Sequence, residues 1–203
     1  LYIVHHYDPH GNQFGVISKF DMKGHVLQWG LIEILFPTEC VKVDRDGYIY
    51  TATTIRKKDQ VIPKDLKGAT RDKIKSYYCN FYGSIVKFKP EGGKIYPTND
   101  DDAAYHATFN SYASGMKFKK CKVVGGVWVH PWISPMLART APIKCNCESA
   151  RFDLDPYERL WIPDAVRSRI EVIDKNGNTV LTFGKKGSPK DSKGTDIRWA
   201  YPM

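Results

Sequence analysis

The sequence predicts an all-β chain built from repeated four-stranded antiparallel sheets. Three observations carry that prediction. Residues 169–173, Arg-Ile-Glu-Val-Ile, alternate polar and apolar side chains, the period of a half-buried strand. Asp174-Lys175-Asn176-Gly177-Asn178 reads as a hairpin turn, with Gly177 supplying positive φ. The same spacing recurs upstream: Ile17, Phe20, Asp21 and Gly24 match Ile170, Ile173, Asp174 and Gly177, and Ile85, Phe88, Lys89 and Gly92 match them again.

Residues 150–184 show the unit best. Residues 151–155 read as its first strand, 160–163 as the second, 169–173 as the third and 179–183 as the fourth. Four antiparallel strands in about 35 residues is the size of one β-propeller blade. The second strand recurs as Leu1-Tyr2, Ile49-Tyr50 and Leu160-Trp161. Tyr2, Tyr50 and Trp161 are therefore expected to be buried between adjacent sheets. Val43-Asp44-Arg45-Asp46-Gly47 precedes one copy, and Leu154-Asp155-Pro156-Tyr157-Glu158 precedes another.

Asp164 and Arg169-Ile170-Glu171-Val172-Ile173-Asp174 resemble the NHL-type repeat of six-bladed propellers. The likeness covers about half the chain. It implies the propeller fold and no single activity, because such scaffolds carry binding proteins, lactonases and lyases alike. The sequence departs from the repeat at Glu158, where the family has glycine, so that turn is expected to differ. The blade copies span about 1–29, 36–97 and 150–184, with insertions at 55–82 and 98–149. Three copies of a six-bladed pattern imply an incomplete propeller, part of a longer chain or larger assembly.

The chain has 203 residues, enough to bury a sizeable core. Its formal net charge of +9 favours anionic partners, which include nucleic acid, acidic glycan or an acidic protein surface. No apolar run is long enough to span a membrane as a helix. Lysine and arginine concentrate in the first insertion: Lys57, Lys58, Arg71, Lys73 and Lys75, followed by Tyr77 and Tyr78. Basic groups beside aromatics suit phosphates and sugars, by charge and by stacking. Trp128 and Trp132 flank His130; they line a ligand groove or plug an interface between blades, and the second use is the expected one.

The five cysteines fit neither a complete disulfide set nor a four-ligand metal site. In Cys145-Asn146-Cys147 both thiols point to one face of an extended chain, toward a metal or a bridge to Cys121, Cys79 or Cys40. Export would make Cys121 the expected bridging partner. His5, His6 and His10 sit near Asp8 and read as polar loop residues around a turn at 8–12. Residues 98–102, Thr-Asn-Asp-Asp-Asp, read as a loop without the calcium-binding spacing. Residues 121–129 read as a strand pair turning at Gly125-Gly126, and 185–196 as a polar linker.

No nucleophile elbow, phosphate loop or His-Glu-x-x-His helix is present, so no catalytic residue is assigned. The expectation is a non-catalytic propeller, exported to the periplasm or outside the cell, that binds protein or glycan through its insertions. It requires no cofactor, save a structural metal of unknown identity. Two alternatives stand beside it. One is a metal-dependent lactonase or lyase using Asp153, Glu39, His130 and His106. The other is a basic NHL-type face that binds RNA.

Overall fold

The computed structural model describes residues 1–6, 15–35, 38–58, 82–111, 115–135, 151–164, 167–191, 193–194 and 196–199. The chain is all-β, with several antiparallel sheets. The unit at 150–184 forms one of them: β12 (Asp153–Leu154), β13 (Leu160–Asp164), β14 (Arg169–Ile173) and β15 (Thr179–Phe183), antiparallel in chain order. We call this the third sheet. Leu160, Ile162 and Ile173 lie on one of its faces and Trp161, Val172 and Leu181 on the other, as the period-2 pattern requires.

The hairpin turns share one device. A leading aspartate accepts backbone N–H groups from the residues that follow. Asp174 Oδ1 takes Asn176 and Asn178 at 2.8 and 2.9 Å, and Asp21 Oδ1 takes Lys23 and His25 at the same two distances. Asp155 Oδ1 takes Tyr157 and Arg159 at 2.9 and 3.0 Å. The fourth turn residue then sits in the left-handed region: Gly24 at φ 87°, Gly47 at 86°, Gly177 at 89° and Glu158 at 63°. The turn at 155–159 thus closes like the others, contrary to expectation. Glu158 N–H donates to the Asp155 carbonyl at 2.9 Å, as Gly47 N–H does to Asp44 at 3.1 Å. The aspartate geometry imposes the conformation, and the glutamate bears the strain.

The second sheet runs in the order β11 (Gly126–Pro135), β7 (Tyr82–Phe88), β5 (Ile49–Thr53), β4 (Thr38–Val43). The repeat places residues 93–97 as its outer strand, yet β8 (Gly93–Pro97) joins a different sheet and β11 takes the outer place. The first sheet begins with β1 (Tyr2–His6), β2 (Gly15–Phe20) and β3 (Val26–Ile34). It continues through β8, β10 (Gly115–Val124), β9 (Tyr105–Ser111) and β6 (Ile55–Lys57). Pairing of β3 with β8 is parallel, Ile32 opposite Gly93 and Ile34 opposite Ile95.

Glycines permit this switch. A Cβ on Gly92 would lie 1.9 Å from the Leu31 carbonyl oxygen, and one on Gly93 would lie 2.2 Å from that of Val124. Gly125 is similarly pressed, its Cβ position 2.2 Å from the Gly92 carbonyl. The expected hairpin over 121–129 is therefore absent. β10 and β11 are consecutive strands, but Gly125 carries the chain from the first sheet to the second instead of turning it back. Among the described residues beyond 184, β16 (Lys185–Lys186) pairs in parallel with β17 (Arg198–Trp199), and Pro189–Asp191 form a 3-10 turn, where a polar linker was expected.

The three main sheets stack face to face. One apolar cluster joins Ile17, Leu31, Ile32, Ile34 and Ile95 of the first sheet to Ile49, Val86 and Phe88 of the second. The other joins Tyr50, Ala52, Ile85 and Ile133 of the second to Leu160, Ile162 and Ile173 of the third. β5 is consequently buried on both faces along its whole length. Each such aliphatic side chain contributes about 1.5–3 kcal/mol on burial. The expected burial of the second-strand aromatics holds for Tyr50, which is fully buried. Tyr2 and Trp161 are only half-buried. Trp161 lies on the face of the third sheet away from the second, where its ring packs edge-on against Phe183 at 6.1 Å.

Candidate functional site

Two surfaces hold chemistry beyond packing. The first is the polar seam between the second and third sheets. Lys87 is 5% exposed near the end of β7, between buried Val86 and Phe88. Its ammonium lies 4.3 Å from the Tyr48 ring centroid and 5.1 Å from that of Tyr50, within cation–π range of both. It donates to the Lys175 carbonyl at 2.9 Å and stands 3.6 Å from Asp44 Oδ2. Trp128 Nε1 donates to the same carbonyl at 3.1 Å. Tyr50 donates its hydroxyl proton to Asp44 at 2.8 Å, and burial, then Asp44, raises the Tyr50 pKa. The turn at 174–178 is thereby held in a socket of Asp44, Tyr48, Tyr50, Lys87 and Trp128.

Charge closes the seam at its rim. Lys175 Nζ reaches Asp46 and Glu158, each at 3.2 Å, and Glu158 also accepts Arg45 N–H at 3.2 Å. Further along, His130 Nε2 is buried without a hydrogen-bond partner, 3.6 Å from Glu171 Oε2. That separation is an ion-pair contact when His130 is protonated, and is too long for a hydrogen bond. His130, then the Thr179 hydroxyl at 2.7 Å, hold the Glu171 carboxyl at about 2 against its burial. Asp164 is buried between Arg167 and Arg169, at 2.8 and 3.1 Å, and burial still raises its pKa. The seam is fully used by packing, and Trp128 belongs to it.

The second surface is the outward face of the first sheet's extension. Register places Arg56, His106 and Lys120 in one row across β6, β9 and β10. Lys58, Lys122, Tyr96 and Lys94 continue that face at alternate positions along their strands. Cys121 and Tyr105 point the other way, into or against the core. Lys94 stands 5.4 Å from the Tyr96 ring centroid. Burial, then Arg56, Lys58 and Lys120, lowers the His106 pKa. Two carboxylates of the turn before β9 fold back onto the lysines: Asp100 pairs with Lys122 at 2.5 Å, and Asp101 pairs with Lys120. An open groove of about 560 Å³ runs beside them, lined by Pro97, Thr98, Asn99, Lys119 and Lys120.

Of the residues singled out from sequence, Lys58 lies on this basic face, donating to the Asp101 carbonyl at 3.2 Å. Lys57 is exposed in register with Tyr105. Arg71, Lys73, Lys75, Tyr77, Tyr78, Cys145 and Cys147 lie outside the described residues, as do the side chains of Trp132 and Glu39. Cys121 carries a free thiol in the core, pushed up to about 12 by burial. Among the other lactonase candidates, Asp153 is exposed and paired with Lys42 at 2.6 Å. Among the described residues no group of three His, Cys, Asp or Glu side chains is placed to hold a metal. His5 lies on β1, not in a loop, with its Nε2 2.9 Å from Ser18 Oγ on β2.

Lys94, Tyr96 and Lys122 were not legible as site residues. Only the pairing of β8 with β10 brings them beside Lys58 and Lys120. Lys87 did carry a signal, since a lysine inside the apolar run Ile-Val-Lys-Phe at 85–88 needs buried partners. No protein-family model matches the chain, and no curated protein matches it significantly.

Proposed function

We propose that the chain is a sector of a β-propeller that serves as a non-catalytic binding module. The basic face of its strand extension receives an acidic protein or glycan. One observation carries this reading: β6, β8, β9 and β10 extend the first sheet beyond the repeated unit and present Arg56, Lys58, Lys94, His106, Lys120 and Lys122 on one solvent-facing side. Sheet stacking requires the opposite face of these strands, which carries Ile55, Ile95, Ala107 and Cys121, and places no demand on the lysines. Carboxylate or sulfate groups on a rigid partner suit such a surface, because exposed lysines act as point charges reachable from many angles.

The test is retention on an immobilised sulfated polysaccharide and on an acidic protein column, over a salt series. Lys58→Glu combined with Lys94→Glu should elute at markedly lower salt than the parent chain, with unchanged thermal melting. Equal elution of the two would end the reading. Tighter retention on RNA than on either column, with a steep salt slope, would replace it with the nucleic-acid alternative.

A further inference from the structure

The turn before β9 is tied down at its base and lays its side chains on the basic face. Thr98 N–H donates to the Lys120 carbonyl at 2.9 Å, and Lys58 N–H donates to the Ala104 carbonyl at 2.9 Å. Ala103, between these anchors, is buried. The Asp100 carbonyl accepts Ala103 N–H at 3.3 Å, and Asp100 Oδ1 accepts Asp102 N–H at 3.1 Å. None of these bonds involves a lysine side chain. The backbone is fixed before the lysines are considered.

The side chains of the turn occupy those lysines. Asp100 Oδ2 pairs with Lys122 at 2.5 Å, Asp101 pairs with Lys120, and Lys58 Nζ reaches the Asp101 main-chain carbonyl at 3.2 Å. The Asp101 side chain is 94% exposed, so packing gives no reason for its place. Three cations of the face thus hold two adjacent carboxylates and one peptide carbonyl. Those are the groups that an acidic peptide offers, and a sulfated glycan has no peptide carbonyl. The groove lined by Pro97, Thr98, Asn99, Lys119 and Lys120 runs beside the turn and gives the rest of such a peptide room. Asp102, the third carboxylate of the turn, forms no ion pair among the described residues.

We propose that the partner of the lysine face is an acidic peptide segment with adjacent carboxylates, and that Asp100 and Asp101 are its internal stand-in, displaced when it binds. The inference rests on the reading of that face as a binding surface, and it names the occupant. Displacement requires two side chains to rotate while the anchored backbone stays. Exposed ion pairs are weak, so the stand-in lowers affinity without abolishing it. Apparent affinity falls by the fraction of time that the lysines are uncovered. A single carboxylate replaces less than it displaces, so the turn also favours partners that carry two.

Fluorescence anisotropy of a labelled poly-aspartate peptide, titrated with the chain at fixed low ionic strength, tests it. Asp100→Asn and Asp101→Asn should each tighten binding about two- to fivefold, since each uncovers one lysine. Asp102→Asn removes the same charge from the same turn and uncovers none, so it should tighten binding less than half as much. Asparagine at 100 keeps an acceptor for the Asp102 N–H, and thermal melting should not move. Lys58→Glu combined with Lys94→Glu reports on the face itself and should weaken binding in every background. If that combination leaves binding unchanged, the peptide does not use the lysine face, and both the reading of the face and the stand-in fall. If it weakens binding while the three asparagine variants gain equally, the face stands and the stand-in is overturned. No binding even to the chain carrying both Asp100→Asn and Asp101→Asn overturns the proposal too. A sulfated polysaccharide that gains as much as the peptide from those two changes overturns the assignment of a peptide partner.

Discussion

Tyr50 and Trp161 occupy the same position in two copies of one unit, and their surroundings differ. Each follows an aspartate by six residues and donates to it: Tyr50 to Asp44 at 2.8 Å, and Trp161 Nε1 to Asp155 at 3.0 Å. Tyr50 is covered by the third sheet and a docked turn, whereas among the described residues no sheet covers Trp161. Local sequence therefore sets the turn, the register and the aspartate contact, and the neighbouring sheet alone decides whether the aromatic is core or surface. Tyr50→Ala should cost about 3–5 kcal/mol in denaturant melts, the range for a large ring removed from a packed interior. Trp161→Ala should cost about 1–2 kcal/mol, since much of its ring already meets water. Equal losses in the monomeric chain would mean the two faces are equally covered.

Acid separates the two regions next. Asp155 lies in the turn of the open face, and Glu171 lies in the seam. Burial works to raise Asp155, but hydrogen bonds from Trp161, Arg159 and Tyr157 outweigh it and hold the carboxyl at about 2, below its usual 3.8. Glu171 is also held at about 2, below its usual 4.5. A carboxylate whose folded pKa lies below its unfolded value stabilises the fold above the unfolded pKa and loses that contribution as pH falls through the folded one. Stability should thus decline from about pH 4.5 toward about pH 2, by on the order of 1–2 kcal/mol for each group. Asp155→Asn and Glu171→Gln should each flatten part of this slope in melts at stepped pH. If Glu171→Gln leaves the slope unchanged, His130 is not acting on that carboxylate.

How far each region was legible follows from where its partners lie in the chain. The third sheet could be read because its strands pair with their sequence neighbours and its turns carry their own aspartates. β8 has an equally clear strand pattern, yet its partners are β3 and β10, and no local feature distinguishes that arrangement from a fourth strand at the edge of the second sheet. The glycines at 92, 93 and 125 mark the place, but they read as ordinary turn residues until Leu31 and Val124 are seen beside them. The basic face was half legible for the same reason. Lys58 stood in a basic run, while Lys94 and Lys122 were single lysines in separate strands until the sheet aligned them. The seam pairs His130 with Glu171, residues far apart in the chain, and neither has a neighbour in sequence that announces the other.

Glu158 gives the finest comparison, between two turns with the same backbone hydrogen bonds and different chemistry. Gly47 holds φ 86° without penalty, while Glu158 holds φ 63° with a side chain attached, a conformation that costs a residue with a Cβ about 1–2 kcal/mol. Its carboxylate offsets part of that through Lys175 and the Arg45 N–H, contacts at a partly exposed rim that contribute about 0.2–1 kcal/mol. Glu158→Gly loses the contacts and releases the strain, so its stability should lie within about 1 kcal/mol of the parent. Glu158→Ala loses the contacts and keeps the strain, and should melt as the less stable of the two by about 1 kcal/mol. The usual ranking of alanine over glycine is reversed only where the backbone is left-handed. An alanine variant as stable as the glycine variant would show that the turn at 155–159 relaxes to another form in solution, and that its likeness to the turn at 44–48 is set by the glutamate contacts and not by Asp155.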